Sequence, residues 1–163
     1  MFTEVEKFVS EWEKEAKRTE DVLDRLTDES LGQPVTEGRR TLGDIAWHLV
    51  ESFHYMSYLG LDIGAPDKGQ RGTAKGIAEE YRRMNGIFLN AVKTQWNDEA
   101  LRQEQDVGGE IWNNGASLAF TMMHQAHHRG QMTVLMRQAG LRPPGVYGQA
   151  YEDWIDQGKT PMA

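Results

Sequence analysis

Four separate stretches of the chain carry apolar residues at steps of three and four, and clusters of Gly and Pro interrupt the gaps between them. That spacing is the period of an α-helix with one face turned to a core. The first stretch, residues 2–26, places Val5, Val9, Trp12, Ala16, Thr19, Leu23 and Leu26 on one stripe, with Glu, Lys, Asp and Arg elsewhere. The second opens at Thr41, which reads as an N-cap completed by Asp44 in a capping box. Its stripe is Ile45, Leu49, Phe53 and Met56, and it runs to Gly60. The third extends from a cap at Thr73 to about Trp96, with Ile77, Tyr81, Met84 and Phe88 inward. The fourth spans residues 114–139. Gly140 stands where a left-handed C-cap belongs, and Pro143-Pro144 prevents continuation.

The connections hold no second domain. Residues 28–40 and 60–72 are loops broken by Gly32, Pro34 and Gly38, and by Gly64, Pro66 and Gly69. Residues 97–114 have no clean period, and Gly108-Gly109 predicts a turn in a short hairpin between Leu101 and Trp112. The tail from Leu141 to Ala163, with Tyr147, Tyr151 and Trp154, is expected to pack across the helices. No βαβ alternation is present. The chain therefore reads as one domain, residues 1–163, folded as an all-α, up-down four-helix bundle with an irregular loop before the last helix.

Charge and composition narrow the function. The 163 residues carry a formal net charge of -7, which repels a polyanion, so nucleic acid is not an expected partner. Arg39-Arg40 and Arg82-Arg83 are short pairs that read as solvated helix ends or faces. There is no cysteine, which removes disulfides, thiolate ligands and a cysteine nucleophile together. No basic start followed by an apolar run marks a secretory leader. No apolar stretch reaches the ~20 residues of a membrane helix. A cytoplasmic protein without a membrane partner is the expectation.

The chemistry lies in the histidines: His48, His54, His124, His127 and His128. On a helix His124 and His128 are one turn apart on the same face, so their imidazoles can converge on one ion. His127 lies about 100° around the axis from His128 and points elsewhere. His48, in Ala46-Trp47-His48-Leu49, borders the apolar stripe of the second helix and supplies a third nitrogen. Three protein ligands with an open position is the arrangement of catalytic zinc, and imidazole suits nickel, iron and copper as well. On spacing alone the same residues also suit a metal-free interior, with His48 a hydrogen-bonded core side chain or all three lining a pocket. The zinc-protease pattern is excluded, because the residue after His124 is Gln125, where that motif needs a glutamate base.

Three segments in order, Thr41-Leu42-Gly43-Asp44-Ile45-Ala46-Trp47-His48-Leu49, His124-Gln125-Ala126-His127-His128-Arg129-Gly130-Gln131, and Leu135-Met136-Arg137-Gln138-Ala139-Gly140, resemble the DinB-like family over nearly the whole chain. The resemblance implies an up-down four-helix bundle, often a homodimer, with nickel or zinc held by one histidine of the second helix and two of the last. Carried over, these are His48, His124 and His128. His127 then becomes a neighbouring or packing residue, and His54, about 240° from His48 on an ideal helix, faces away. Gln131 is placed to hydrogen-bond near the site, or is a solvated glutamine. Arg129 reads as an anion-binding residue or a surface ion pair, and Gly130 as a point of close helix approach.

Related bundles transfer a low-molecular-weight thiol, such as bacillithiol, to an electrophile. A metal on three neutral imidazoles keeps its full charge and can stabilise a thiolate at neutral pH. The same ion can activate water, which would make a hydrolase. Glu51, one turn beyond His48, is the candidate base, or a plain solvated glutamate. The alternative is a non-catalytic stress-response bundle in which the metal staples two helices together.

Overall fold

The structure, a computed structural model, describes residues 1–162; Ala163, the end of the expected tail, lies outside the described residues. Four long helices form the body: α1 (Val5–Leu23), α2 (Leu42–Glu51), α3 (Ala74–Gln95) and α4 (Asn114–Gln138). Between α3 and α4 lie two short strands, β1 (Glu104–Val107) and β2 (Glu110–Asn113), and the tail adds α5 (Tyr151–Asp156). The mostly helical bundle expected from the four stripes is borne out. α1 packs chiefly on α3 and α4, and α2 on the same two helices. α1 and α2 thus occupy opposite corners, and the long connections after α1 and α3 carry the chain across the bundle.

Local chemistry explains where the elements begin and end. The Asp44 N–H donates to Thr41 Oγ1 at 3.1 Å and the Thr41 N–H to Asp44 Oδ2 at 2.9 Å, a reciprocal capping box. Thr73 caps α3 by accepting from the Gly76 N–H at 3.0 Å. Asn113 caps α4 through the Ala116 N–H at 2.8 Å. The free Val5 N–H of α1 is met from a distance, by Asp98 Oδ1 at 2.8 Å. Gly140, at φ 76°, closes α4: its N–H reaches Arg137 O at 3.0 Å and the Leu141 N–H reaches Met136 O at 2.8 Å, the paired bonds of a Schellman ending. The predicted hairpin forms with Val107 opposite Glu110. Gly108 and Gly109 both take positive φ, 64° and 93°, as a two-residue turn between twisted strands requires.

The second helix departs from its expected length. The α-helix stops at Glu51, and Ser52–Leu59 winds as a 3-10 helix. Phe53, Met56 and Leu59 are buried at steps of three. On an α-helix each such step drifts about 60° around the axis, whereas a 3-10 turn keeps all three on one line. Tightening the turn therefore buries one continuous apolar edge, and Ser52 Oγ supports it by donating to Leu49 O at 2.8 Å.

At the centre, Phe8, Trp12, Phe53 and Phe88 pack edge to face and stacked, with Trp12 and Phe88 at 5.1 Å between centroids. The Trp12 indole N–H is satisfied by Asn85 Oδ1 at 2.7 Å. The tail lies on the bundle as expected. Arg137 pairs with Glu152 at 2.9 Å and Arg142 with Asp156 at 2.7 Å, and Arg18 Nε donates to Val146 O at 3.0 Å. Among the described residues no helix is long and apolar enough to cross a membrane.

Candidate metal centre

α2 and α4 lie side by side, and their contact brings three imidazoles together. His124 Nε2 stands 3.1 Å from His48 Nε2 and 3.1 Å from His128 Nε2. All three ligand nitrogens fall within 4.8 Å of one another. Two imidazole nitrogens bound tetrahedrally at 2.0–2.1 Å from one ion would be about 3.3 Å apart. The observed spacing thus fits a shared cation. The side chain behind the cluster points the same way. His128 Nδ1 is 2.7 Å from Gln131 Oε1. An amide oxygen can only accept, so Nδ1 carries the proton and Nε2 presents its lone pair to the centre. A single cation placed there would satisfy the converging lone pairs together.

Electrostatics agree with neutral, ligating imidazoles. Burial pushes His124 down to about 4, with further lowering by the charges of His128, His48, His127 and Arg40. Burial also lowers His48, reinforced by His128 and Arg40 and opposed by Glu51. His128 is lowered by burial against the opposing effect of its Gln131 hydrogen bond. At neutral pH none of the three needs to lose a proton before binding a metal.

A cavity of about 220 Å³ opens beside His48 and His124, walled by Ser52, Tyr55, Phe120 and Thr121. These four were not singled out from the sequence, although the signal was there. Ser52 and Tyr55 stand four and seven residues after His48, and Phe120 and Thr121 four and three before His124, all steps that share a helix face.

The chain's relatives can now be set beside this geometry. The profile of the DinB family matches residues 1–160. The chain belongs to the DinB family. YrdA of Bacillus subtilis strain 168, itself uncharacterized, is 45% identical over 161 residues, covering 97% of this chain and 96% of YrdA. A DinB-like protein from Bacillus cereus ATCC 10987 has a crystal structure that superposes with a TM-score of 0.83 at 41% identity, covering 90% of this chain and 100% of that one. A second DinB-like structure, YjoA from Bacillus subtilis, has a TM-score of 0.68 at 17% identity over 88% of this chain and 98% of that one. It speaks for the fold alone.

Within this DinB-family bundle the other sequence candidates take distinct places. Gln131 bonds directly to His128 of the cluster, as above. His127 is exposed, with its ring edge-on to His128 at 4.8 Å. His54 sits against Gly64 O at 3.2 Å, away from the cluster. Glu51 is half-buried; its charge reaches His48, but it does not line the cavity.

Arg129 corrects the sequence reading of a surface ion pair. It is fully buried and points away from the histidines into the interface of α4 with α1. Its Nη1 donates to Glu15 O at 3.0 Å and Thr19 Oγ1 at 2.8 Å, and its Nη2 bonds Glu15 Oε2 and Tyr147 OH. Burial alone would raise the Glu15 carboxyl, but hydrogen bonds from Tyr147 and Arg129, with the charges of Arg129 and Arg18, hold it below the usual range. Gly130 is a second correction. It is exposed, and a Cβ built there meets nothing within 4 Å, so no helix approaches it closely.

Proposed function

We propose that the protein is a divalent-metal-dependent transferase that joins a low-molecular-weight thiol to an electrophile. One observation supports this reading above others: three imidazole nitrogens converge beside a cavity bounded by two of those same histidines. A cation that only stapled α2 to α4 would need no such space, whereas a catalytic centre keeps a position for substrate. Three imidazoles suit zinc, nickel, iron or copper, and the family resemblance favours nickel or zinc among them. When bound, the ion supplies positive charge that lowers the pKa of a thiol and favours its nucleophilic form.

The chain's own residues supply the rest. Gln131 fixes the ring of His128, and burial lowers the pKa of all three imidazoles, favouring the neutral form. Tyr55 and Phe120 shield the reacting groups from water on one side. In the transfer a sulfur–carbon bond forms, the bond from carbon to its leaving group breaks, and the thiol proton leaves to solvent with that group. Glu51 is near enough to His48 for its charge to be felt there, but it lies outside the cavity wall and is not assigned the proton.

The test is elemental analysis of protein purified without chelators, followed by a transfer assay with several thiols and a generic alkylating electrophile. The expected result is near one equivalent of metal, lost in His128→Ala and retained in His54→Ala, with transfer that follows the metal. Undiminished transfer by verified metal-free protein rejects the reading. Hydrolysis of a generic ester or amide by the metal-loaded protein, with no thiol adduct in the transfer assay, would instead assign a hydrolase.

A further inference from the structure

We propose that a ligand of this centre presents an uncharged, ring-sized apolar group to Tyr55 and Phe120, beside a donor atom directed at the histidines. This rests on the metal reading above and adds the chemistry of the ligand's other half.

The cavity beside the centre measures about 220 Å³. An apolar cavity of roughly 150 Å³ already holds a benzene molecule. The space therefore admits one ring, or a short branched chain, together with a linking carbon and a donor atom. The cleft opens to solvent on one side, so any larger part of the molecule projects outward.

Its walls select against polarity. None of the six lining residues is an Asp, Glu, Lys or Arg. The wall hydroxyls are committed elsewhere. Thr121 Oγ1 donates to Ser117 O at 2.9 Å. Ser52 Oγ donates to Leu49 O at 2.8 Å and lies 3.3 Å from its donor Gln125 Nε2. Tyr55 OH is directed to Ser117 Oγ at 3.5 Å. A carboxylate placed here would leave water and find few free donors on these walls. An apolar body gains by the same transfer. The two rings that face it are 6.4 Å apart at 64°, and Phe120 stands 5.9 Å from the His124 ring. A ligand ring can rest on this corner while its head group reaches the imidazole cluster.

The test uses the cobalt(II)-loaded full chain and three thiols with one head group each: benzyl mercaptan, 1-thioglycerol and mercaptosuccinate. Sulfur-to-cobalt charge-transfer absorption reports binding without reference to activity. Benzyl mercaptan is expected to bind at least tenfold more tightly than either polar thiol. Phe120→Ala should weaken benzyl mercaptan about tenfold while leaving cobalt affinity and 1-thioglycerol binding unchanged. Tyr58→Ala, at a position 78% exposed, should change nothing. Urea unfolding and circular dichroism establish that both variants are folded, and Phe120→Leu, which keeps an apolar wall, should retain most of the preference. Cobalt binding with equal affinity for the three thiols, or a Phe120→Ala protein with its preference intact, overturns the proposal and leaves the metal reading standing. Failure of the wild-type chain to take up cobalt overturns the metal reading and the proposal with it.

Discussion

Replacing Arg129 with methionine takes away four hydrogen bonds and leaves a carboxylate behind. The Arg129 side chain has 0% of its surface exposed and that of Glu15 has 11%. Breaking a buried pair from one side costs about 3–5 kcal/mol, because the remaining charge stays buried without its partner. An exposed pair contributes only about 0.2–1 kcal/mol, so the two placements of Arg129 give different measurements. Glu15 would keep Arg18 Nη1 at 2.6 Å and Tyr147 OH at 2.6 Å, which puts Arg129→Met near the lower end, about 3 kcal/mol. For a chain of this size that is a fall in Tm of about 6–12 °C. The double variant Glu15→Gln/Arg129→Met removes both buried charges and should be more stable than the sum of the single losses by at least about 1 kcal/mol. Urea unfolding at pH 7 reads these values as a shift in midpoint at constant slope. A loss below about 1 kcal/mol at unchanged slope, or additivity of the two single variants to within about 0.5 kcal/mol, would refute the buried network.

Gln131→Ala leaves all three histidines in place but frees the ring of His128, and should weaken metal binding by about 10–100-fold, read by competition with a chelator of known affinity. In metal-free protein, His124 is held at about 4 against an ordinary 6.5. The unfolded chain therefore takes up more protons across that interval. Stability should be at its full level above about pH 6.5 and fall progressively as the pH drops towards 4. Urea midpoints measured against pH check this, and a flat profile would contradict the buried, neutral cluster. Two copies are expected to associate as a symmetric dimer, the commonest oligomer. From Ile111 to His128 the chain carries no Asp, Glu, Lys or Arg, while Phe120 and Met123 are 40% and 63% exposed. Sedimentation should show a dimer, and Met123→Lys should shift it to monomer.

What the sequence revealed depended on range. The Thr41–Asp44 capping box, the Gly140 ending and the Gly108-Gly109 hairpin turn are set by residues within a few positions of each other, and each formed where its pattern lay. The pairing of His124 with His128 is equally local, one turn of one helix. His48 was legible as a candidate third nitrogen from its place beside the stripe of the second helix. Nothing in its own neighbourhood says which helix it faces, and the family pattern was what chose the metal reading over a core histidine. Arg129 was misread because its partners lie on α1, 110 and 114 residues away. The available signal was periodic. Thr121, Gln125, Arg129 and Met132 share one buried line of α4, and Thr19 sits in the stripe of α1. Polar residues on core-facing lines of two helices are expected to satisfy one another, and these do.

That polar seam also bears on the metal centre. Gln125, fully buried, accepts from Thr19 Oγ1 and Tyr81 OH, each at 3.2 Å, and its Nε2 lies 3.3 Å from Ser52 Oγ and 3.5 Å from Leu49 O. It therefore touches α1, α3 and the α2 segment at once. Leu49 follows His48 in sequence as Gln125 follows His124. The amide thus joins α2 to α4 one residue away from the two histidines that stand 3.1 Å apart. An apolar residue of similar size would fill the volume but would let the helices slide, since apolar contacts are indifferent to small shifts along the axis. Hydrogen bonds are not, because they weaken steeply with distance and angle. The glutamine that removes the protease base from the His-x-x-x-His pattern is, in this fold, a residue that sets where that pattern meets His48.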